Sequence, residues 1–255
     1  MHPPTYPDLA GKIAVITGSS RGIGAETARY LAINKVKVVV NGRDRPAVEA
    51  VTQEIRTSGG EAIGYAADCT KYDQIEALRE SVENRLGAVS LLFAFAGGDG
   101  KPEPIEEYSE ERWDSVLAGN LKSKFLTVKS FLPSIKKAGG GSIVLMSSSA
   151  GRARSQASFA YSAAQAGVAN LTRNLAQEFG VSGIRVNAIA PSAVRNDKLR
   201  KFMTEEQQAN LASTFAIPRL GEPGDVAAAA LFLGSEASSW ITGIVLDVAG
   251  GKVML

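Results

Sequence analysis

Tyr161 and Gln165 stand four residues apart in AYSAAQAG, residues 160–167, at the start of an alanine-rich stretch that favours a helix. Side chains at that spacing share one helix face, so a phenol and an amide point into one pocket. A phenol can give or take a proton, and a carboxamide can donate to and accept from sugar hydroxyls. The amide brings no charge to move the phenol from its ordinary pKa of about 10. At pH 7 only about one such phenol in a thousand is ionised, a cost near 4 kcal/mol for any step that starts from phenolate. The pair therefore favours giving a proton over taking one. Other groups offer little help, because His2 is the only histidine and Cys69 the only cysteine. That leaves no intrachain disulfide, no Cys/His zinc site and no triad built on a core histidine.

A second stretch, TGSSRGIG at 17–24, follows a β-branched run and opens a helical one. Gly18, Gly22 and Gly24 allow tight turning and close approach of an anion, and the N–H groups and dipole of the helix start favour a pyrophosphate. The next β-branched run ends VVVNGRD. Dinucleotide sites selective for NAD hold an acid there for the adenosine ribose 2′-hydroxyl. Gly42 takes that place here, Arg43 follows it, and Arg21 lies in the glycine loop, so two guanidinium groups could converge on a 2′-phosphate. The pattern reads as preference for NADP, used as NADPH.

These residues need a scaffold, and the chain supplies a regular one. Strand-like runs at 12–18, 35–41, 61–67, 89–97, 141–148, 183–190 and 243–251 alternate with amphipathic segments at 22–33, 45–57, 71–86, 105–137, 160–180 and 224–234. The rhythm predicts an α/β fold, a Rossmann-type doubly wound sheet of seven parallel strands with helices on both faces. Length and composition fit a single dinucleotide-binding domain over 1–255, with 45% apolar residues. Residues 192–215 are the least patterned and read as a substrate-covering segment or a solvated helix pair. The 28 basic and 26 acidic side chains nearly cancel without long runs of one sign, which points away from nucleic acid and membrane and toward a small-molecule partner. No run has the length of a membrane span and the first residues lack a signal-peptide layout, so a cytoplasmic location is expected.

Taken together, the chain resembles the short-chain dehydrogenase/reductase family over nearly its whole length, and within it the ketoacyl-carrier-protein-reductase type. The resemblance rests on TGSSRGIG (17–24), ADCT (67–70), GN (119–120), SIVLMSSSAG (142–151), RVNAIAP (185–191), PRLGEPGDVA (218–227) and ITGIVLDVAGG (241–251). It implies hydride transfer between nicotinamide and a carbonyl or alcohol carbon, and a homotetramer. It implies that Ser148 orients the substrate oxygen, that Tyr161 is the proton donor and that Asn120 holds a relay water in mid-helix. Gln165 stands where the family has a lysine that binds the nicotinamide ribose and lowers the tyrosine pKa. The expected cofactor contacts are Gly18, Ser20, Arg21, Gly22, Ile23, Gly24, Asn41, Arg43, Asp68, Cys69, Ala96, Gly97, Tyr161, Gln165, Pro191 and Val194, with Asp68 and Cys69 meeting adenine. Two further departures are Phe95, where an amide normally ties neighbouring strands, and Ser192 after Pro191, where the family has glycine.

The reading that follows is an NADPH-dependent carbonyl reductase with an atypical Tyr161-x-x-x-Gln165 site. A lyase, isomerase or dehydratase on the same scaffold, and a non-catalytic NADP-binding protein, are the alternatives. Lys124, one turn from Asn120, is read as a surface or interface lysine or as a relocated cation. Arg152 and Arg154 are candidates to meet an anionic group on the substrate. Phe95, Arg154, Phe202 and Met203 suggest a partly apolar pocket.

Overall fold

The computed structural model describes residues 3–98 and 100–254, with the side chains of Lys198, Arg200 and Phe202 outside the description. Seven strands fall on the seven predicted runs, β2 and β6 each ending one residue beyond: β1 (Ile13–Thr17), β2 (Lys37–Gly42), β3 (Ala62–Ala66), β4 (Leu91–Ala94), β5 (Gly141–Met146), β6 (Ile184–Pro191) and β7 (Val245–Val248). All pairings are parallel, in the order β3-β2-β1-β4-β5-β6-β7. Parallel strands need crossovers that cover both faces, and this is why their sequences read as nearly continuous apolar runs.

The pleat sorts β1 into two cores. Ala14 and Ile16 join the α1 (Gly22–Ile33), α2 (Arg45–Thr57) and α9 (Pro223–Gly234) side. Ile13 and Val15 face α3 (Tyr72–Arg85), α5 (Ser123–Lys137) and α6 (Phe159–Phe179). Val15, Leu92, Phe93, Phe131 and Ile143 are fully buried, each such side chain contributing roughly 1.5–3 kcal/mol of transfer free energy.

Two segments depart from the predicted pattern. The single amphipathic stretch at 105–137 is broken into α4 (Glu110–Leu117), a π-turn at Ala118–Lys122 and α5. The two turns of α4 are too short for the phase shift of one inserted residue to be read from periodicity, yet the inserted turn carries Asn120. Residues 192–215 contain α7 (Asp197–Phe202) and α8 (Glu205–Ala212), started by Asn196 and by a Thr204/Gln207 capping box. None of α8 is buried, as expected of a solvated helix. The strand order reverses between β1 and β4, so their carboxyl ends diverge and leave a crevice.

Candidate active site

A cleft of about 570 Å³ opens at those carboxyl ends. Its floor at β1 is the glycine loop, where Gly18 (φ 68°) and Gly22 (φ 56°) occupy the left-handed region. A Cβ on Gly18 would lie 2.8 Å from the backbone of Ala96, and one on Gly24 would collide with the Gly18 carbonyl oxygen. No side chain caps the start of α1. Its first N–H groups therefore remain for an anion. Gly18, Arg21, Gly22, Ile23 and Gly24 all line the cleft, a donor set that fits a dinucleotide pyrophosphate.

At the end of β2, a Cβ on Gly42 would meet the Ser20 hydroxyl at 2.7 Å. Ser20 thus fills the space an acidic side chain would need. Arg43 is exposed, and Arg21 pairs with Asp44 at 3.0 Å in an exposed bridge worth about 0–1 kcal/mol. Such a bridge gives way readily to a phosphate.

The turn after β4 is fixed by two polar side chains. Thr17 Oγ1 accepts from the backbone N–H of Phe95 (3.1 Å) and Ala96 (3.2 Å), supplying the strand tie that Phe95 itself cannot make. Phe95 instead packs edge-on against Phe93 in the core. Asn120 exchanges two hydrogen bonds with Gly98, its Oδ1 accepting from the N–H and its Nδ2 donating to the carbonyl, both at 2.8 Å. Its Nδ2 also donates to Val116 O at 2.8 Å. A helix interior that presents an amide to a loop in this way depends on the π-turn.

Tyr161 sits in the first turn of α6, its N–H donating to the capping hydroxyl of Ser158, and Gln165 follows one turn later. Gln165 is 2% exposed, and its Nε2 donates to Asn120 Oδ1 at 3.3 Å. Its Oε1 has no hydrogen-bond partner among the described residues. Ser148, after β5, caps the turn at 149–151 through the Ala150 N–H. Burial pushes the Tyr161 phenol above its usual value, and the neighbouring Ser148 and Gln165 side chains only partly oppose this.

Lys124 is not at the surface. It is 1% exposed and lines the same cleft, with Nζ donating to Ala96 O (2.9 Å) and Asn120 O (2.7 Å). Burial pulls its pKa down to about 7. The nearby thiol of Cys69, pushed up to about 12, stays neutral and offers no counter-charge at neutral pH.

Comparison with known proteins then places this geometry. Residues 18–252 match the family model described as Enoyl-(Acyl carrier protein) reductase. The 7alpha-hydroxysteroid dehydrogenase of Escherichia coli (strain K12) is 36% identical over 96% of this chain and 95% of its own. The cis-4-hydroxycyclohexanecarboxylate dehydrogenase of Sinomonas cyclohexanicum is 37% identical over 95% and 97%. A solved 7 alpha-hydroxysteroid dehydrogenase, complexed with NADH and 7-oxo glycochenodeoxycholic acid, superposes with TM-score 0.92 at 36% identity, covering 98% of this chain and 97% of that one. The chain is a short-chain dehydrogenase/reductase.

As a member of this family of oxidoreductases, it brings Asn120, Ser148, Tyr161, Gln165, Ala96, Gly97, Pro191 and Val194 to one cleft with the glycine loop. Several predicted contacts lie elsewhere. The buried Asn41 amide donates to Tyr65 O and Ala67 O and accepts from the Cys69 thiol, so both side chains hold the β2–β3 edge together. The Asp68 carboxylate accepts from the N–H and hydroxyl of Thr70, as a turn residue does. The backbones of Asn41 and Cys69 and the other oxygen of the Asp68 carboxylate remain as candidate cofactor contacts. Arg152 is spent on Asp247, in a two-pronged pair at 3.1 and 3.0 Å, which leaves the exposed Arg154 for a substrate anion.

Phe202 carries no description, and Met203 is partly buried at the end of α7. Sequence reasoning missed Met146, Arg195 and Glu222 on the cleft wall, the last two paired at 3.0 Å. Only the turn residues around Pro223 hinted at them. No helix among the described residues is long and apolar enough to cross a membrane.

Proposed function

We propose that this protein is an NADPH-dependent reductase of ring ketones, with Tyr161 as the acid. The observation that carries the reading is a half-buried phenol lining the cleft with a buried neutral amide at residue 165 where an ammonium would ease ionisation, an environment that raises the phenol above its ordinary pKa. A group so tuned is fully protonated at neutral pH and can only give its proton. Bound nicotinamide would supply the hydride. Ser148 holds the carbonyl oxygen beside Tyr161, and Gln165 offers its amide to ribose hydroxyls.

NADPH over NADH is supported by Gly42, by the Ser20 hydroxyl in the space of an acid, and by Arg21 and Arg43. The relatives named for hydroxysteroid and hydroxycyclohexane substrates support a ring carbonyl. Exposed Trp240 and Phe125 support a homotetramer, which light scattering would detect. A cytoplasmic site of action accords with a buried, reduced Cys69.

The test begins with NADPH fluorescence titration and proceeds to NADPH consumption with cyclohexanone, 4-oxocyclohexanecarboxylate, 7-oxo glycochenodeoxycholate and an acetoacetyl thioester. We expect binding and slow turnover of at least one ring ketone. An Arg21→Ala/Arg43→Ala variant should lose at least about tenfold in NADPH affinity while NADH affinity changes little, as removal of two charge-assisted contacts implies. Absence of NADPH binding removes the reductase reading, while binding without consumption of any ketone moves it to non-redox chemistry. If Arg154 meets a substrate anion, Arg154→Ala will slow 4-oxocyclohexanecarboxylate more than cyclohexanone. Equal losses would sink that contact.

A further inference from the structure

Among the groups on the cleft wall, Lys124 has the least obvious reason to be there. A lysine with its ammonium out of water is costly unless paired, and no carboxylate faces this one. Its partners are two backbone carbonyls, Ala96 O and Asn120 O, which leave a third N–H direction. A Cβ built on Gly97 would lie 2.7 Å from Asn120 Oδ1 and 3.4 Å from Lys124 Nζ, so both groups border the surface that Gly97 leaves open. Asn120 Oδ1 in turn accepts from Gln165 Nε2. The Gln165 Oε1 is a buried acceptor with no partner among the described residues. Gln165 stands beside Tyr161. A path of polar groups therefore runs from Lys124 through Asn120 and Gln165 to the phenol.

We propose that Lys124 is a relay and positioning residue, which returns a proton to Tyr161 through a water held by Gln165 Oε1 and the Lys124 ammonium. This rests on the reductase reading. In reduction the Tyr161 O–H bond breaks as the substrate alcohol O–H forms. The phenolate then takes a proton from the water, the water takes one from Lys124 Nζ, and the resulting amine regains its proton from solvent. No electrons move in these steps.

The gradient favours this direction, since burial lowers Lys124 to about 7 and raises Tyr161 above 10. The ionisable group that acts on the lysine directly is the neutral Cys69 thiol, while Tyr161 on α6 and Arg21, Arg195, Asp197 and Glu222 line other parts of the same cleft. Lys124 in this role supplies a proton through a water and does not stand in for the charge absent at residue 165, so the phenol keeps its raised pKa.

The test is an NMR titration of lysine ¹⁵Nζ resonances in the cofactor-free protein, joined to pH–rate profiles for NADPH-driven reduction of cyclohexanone, or of whichever ketone in the panel is turned over. We expect one lysine resonance with a midpoint near 7, absent in Lys124→Met. That midpoint should fall by about half a unit or more in Gln165→Met, which removes the acceptor that favours the ammonium. The wild-type kcat should fall as pH rises past the same midpoint. Lys124→Met should lose that limb and about tenfold or more in kcat at pH 6, with KM for the ketone nearly unchanged. A midpoint near an ordinary lysine, a midpoint unmoved by Gln165→Met, or an unchanged pH limb in Lys124→Met would each overturn the relay. Failure of the reductase reading looks different, because no variant then consumes NADPH. Should Lys124→Met fail to fold, the response of the midpoint to Gln165→Met decides.

Discussion

At the scale of single residues the site works through what surrounds one phenol. Tyr161 has hydroxyl and amide neighbours and a raised pKa, and Tyr161→Phe should reduce ketone turnover by about 10²–10⁴-fold, as removal of a general acid does. Gln165→Lys places an ammonium one helical turn from the phenol and lowers its pKa, so reduction at pH 7 should accelerate by about tenfold or more, read as NADPH consumption. The pairing of Tyr161 with Gln165 could be read from helix spacing, while Ser148 and Asn120 could be named only through the family resemblance. The burial of Lys124 could not. One lysine at helical spacing carries no sign of whether its face meets water or the cleft, and here the π-turn decides. Arg152 shows the same limit, since its partner Asp247 is far along the chain.

At the scale of elements, the glycine loop and the π-turn place these side chains. A Cβ at Gly24 would press on the Gly18 carbonyl oxygen, a backbone atom that cannot swing away. Gly24→Ala should therefore cost about 1–3 kcal/mol in urea unfolding and abolish the fluorescence change on adding NADPH. Strand positions were legible because β-branched runs bounded by glycine have few other homes in an α/β chain. Helix continuity at 105–137 was not, because the α4 stretch before the π-turn is too short for the phase shift of one inserted residue to stand out. The hydrogen bonds that Asn41 and Cys69 make across the β2–β3 edge, and the turn that Asp68 closes with Thr70, were not legible, because they depend on which way side chains turn at a strand end.

At the scale of the molecule, activity and stability pull on the same buried lysine. Between pH 7 and 10.5 the unfolded chain holds a proton on Lys124 that the folded chain has lost, so this group makes stability rise with pH across that window. Lys124→Met removes the penalty. The rise of stability between pH 7 and 10.5 should therefore disappear in this variant, whatever the cost of leaving Ala96 O and Asn120 O without their donor, as chemical denaturation across pH would show. The central claim, that Tyr161 lacks a charge to ionise it and so serves reduction, has a direct measurement. Ultraviolet difference titration of the native protein against Tyr161→Phe isolates the ionisation of this phenol. A midpoint above 10 is predicted, and a midpoint between about 6 and 8, the range of a tuned catalytic group, would contradict the account.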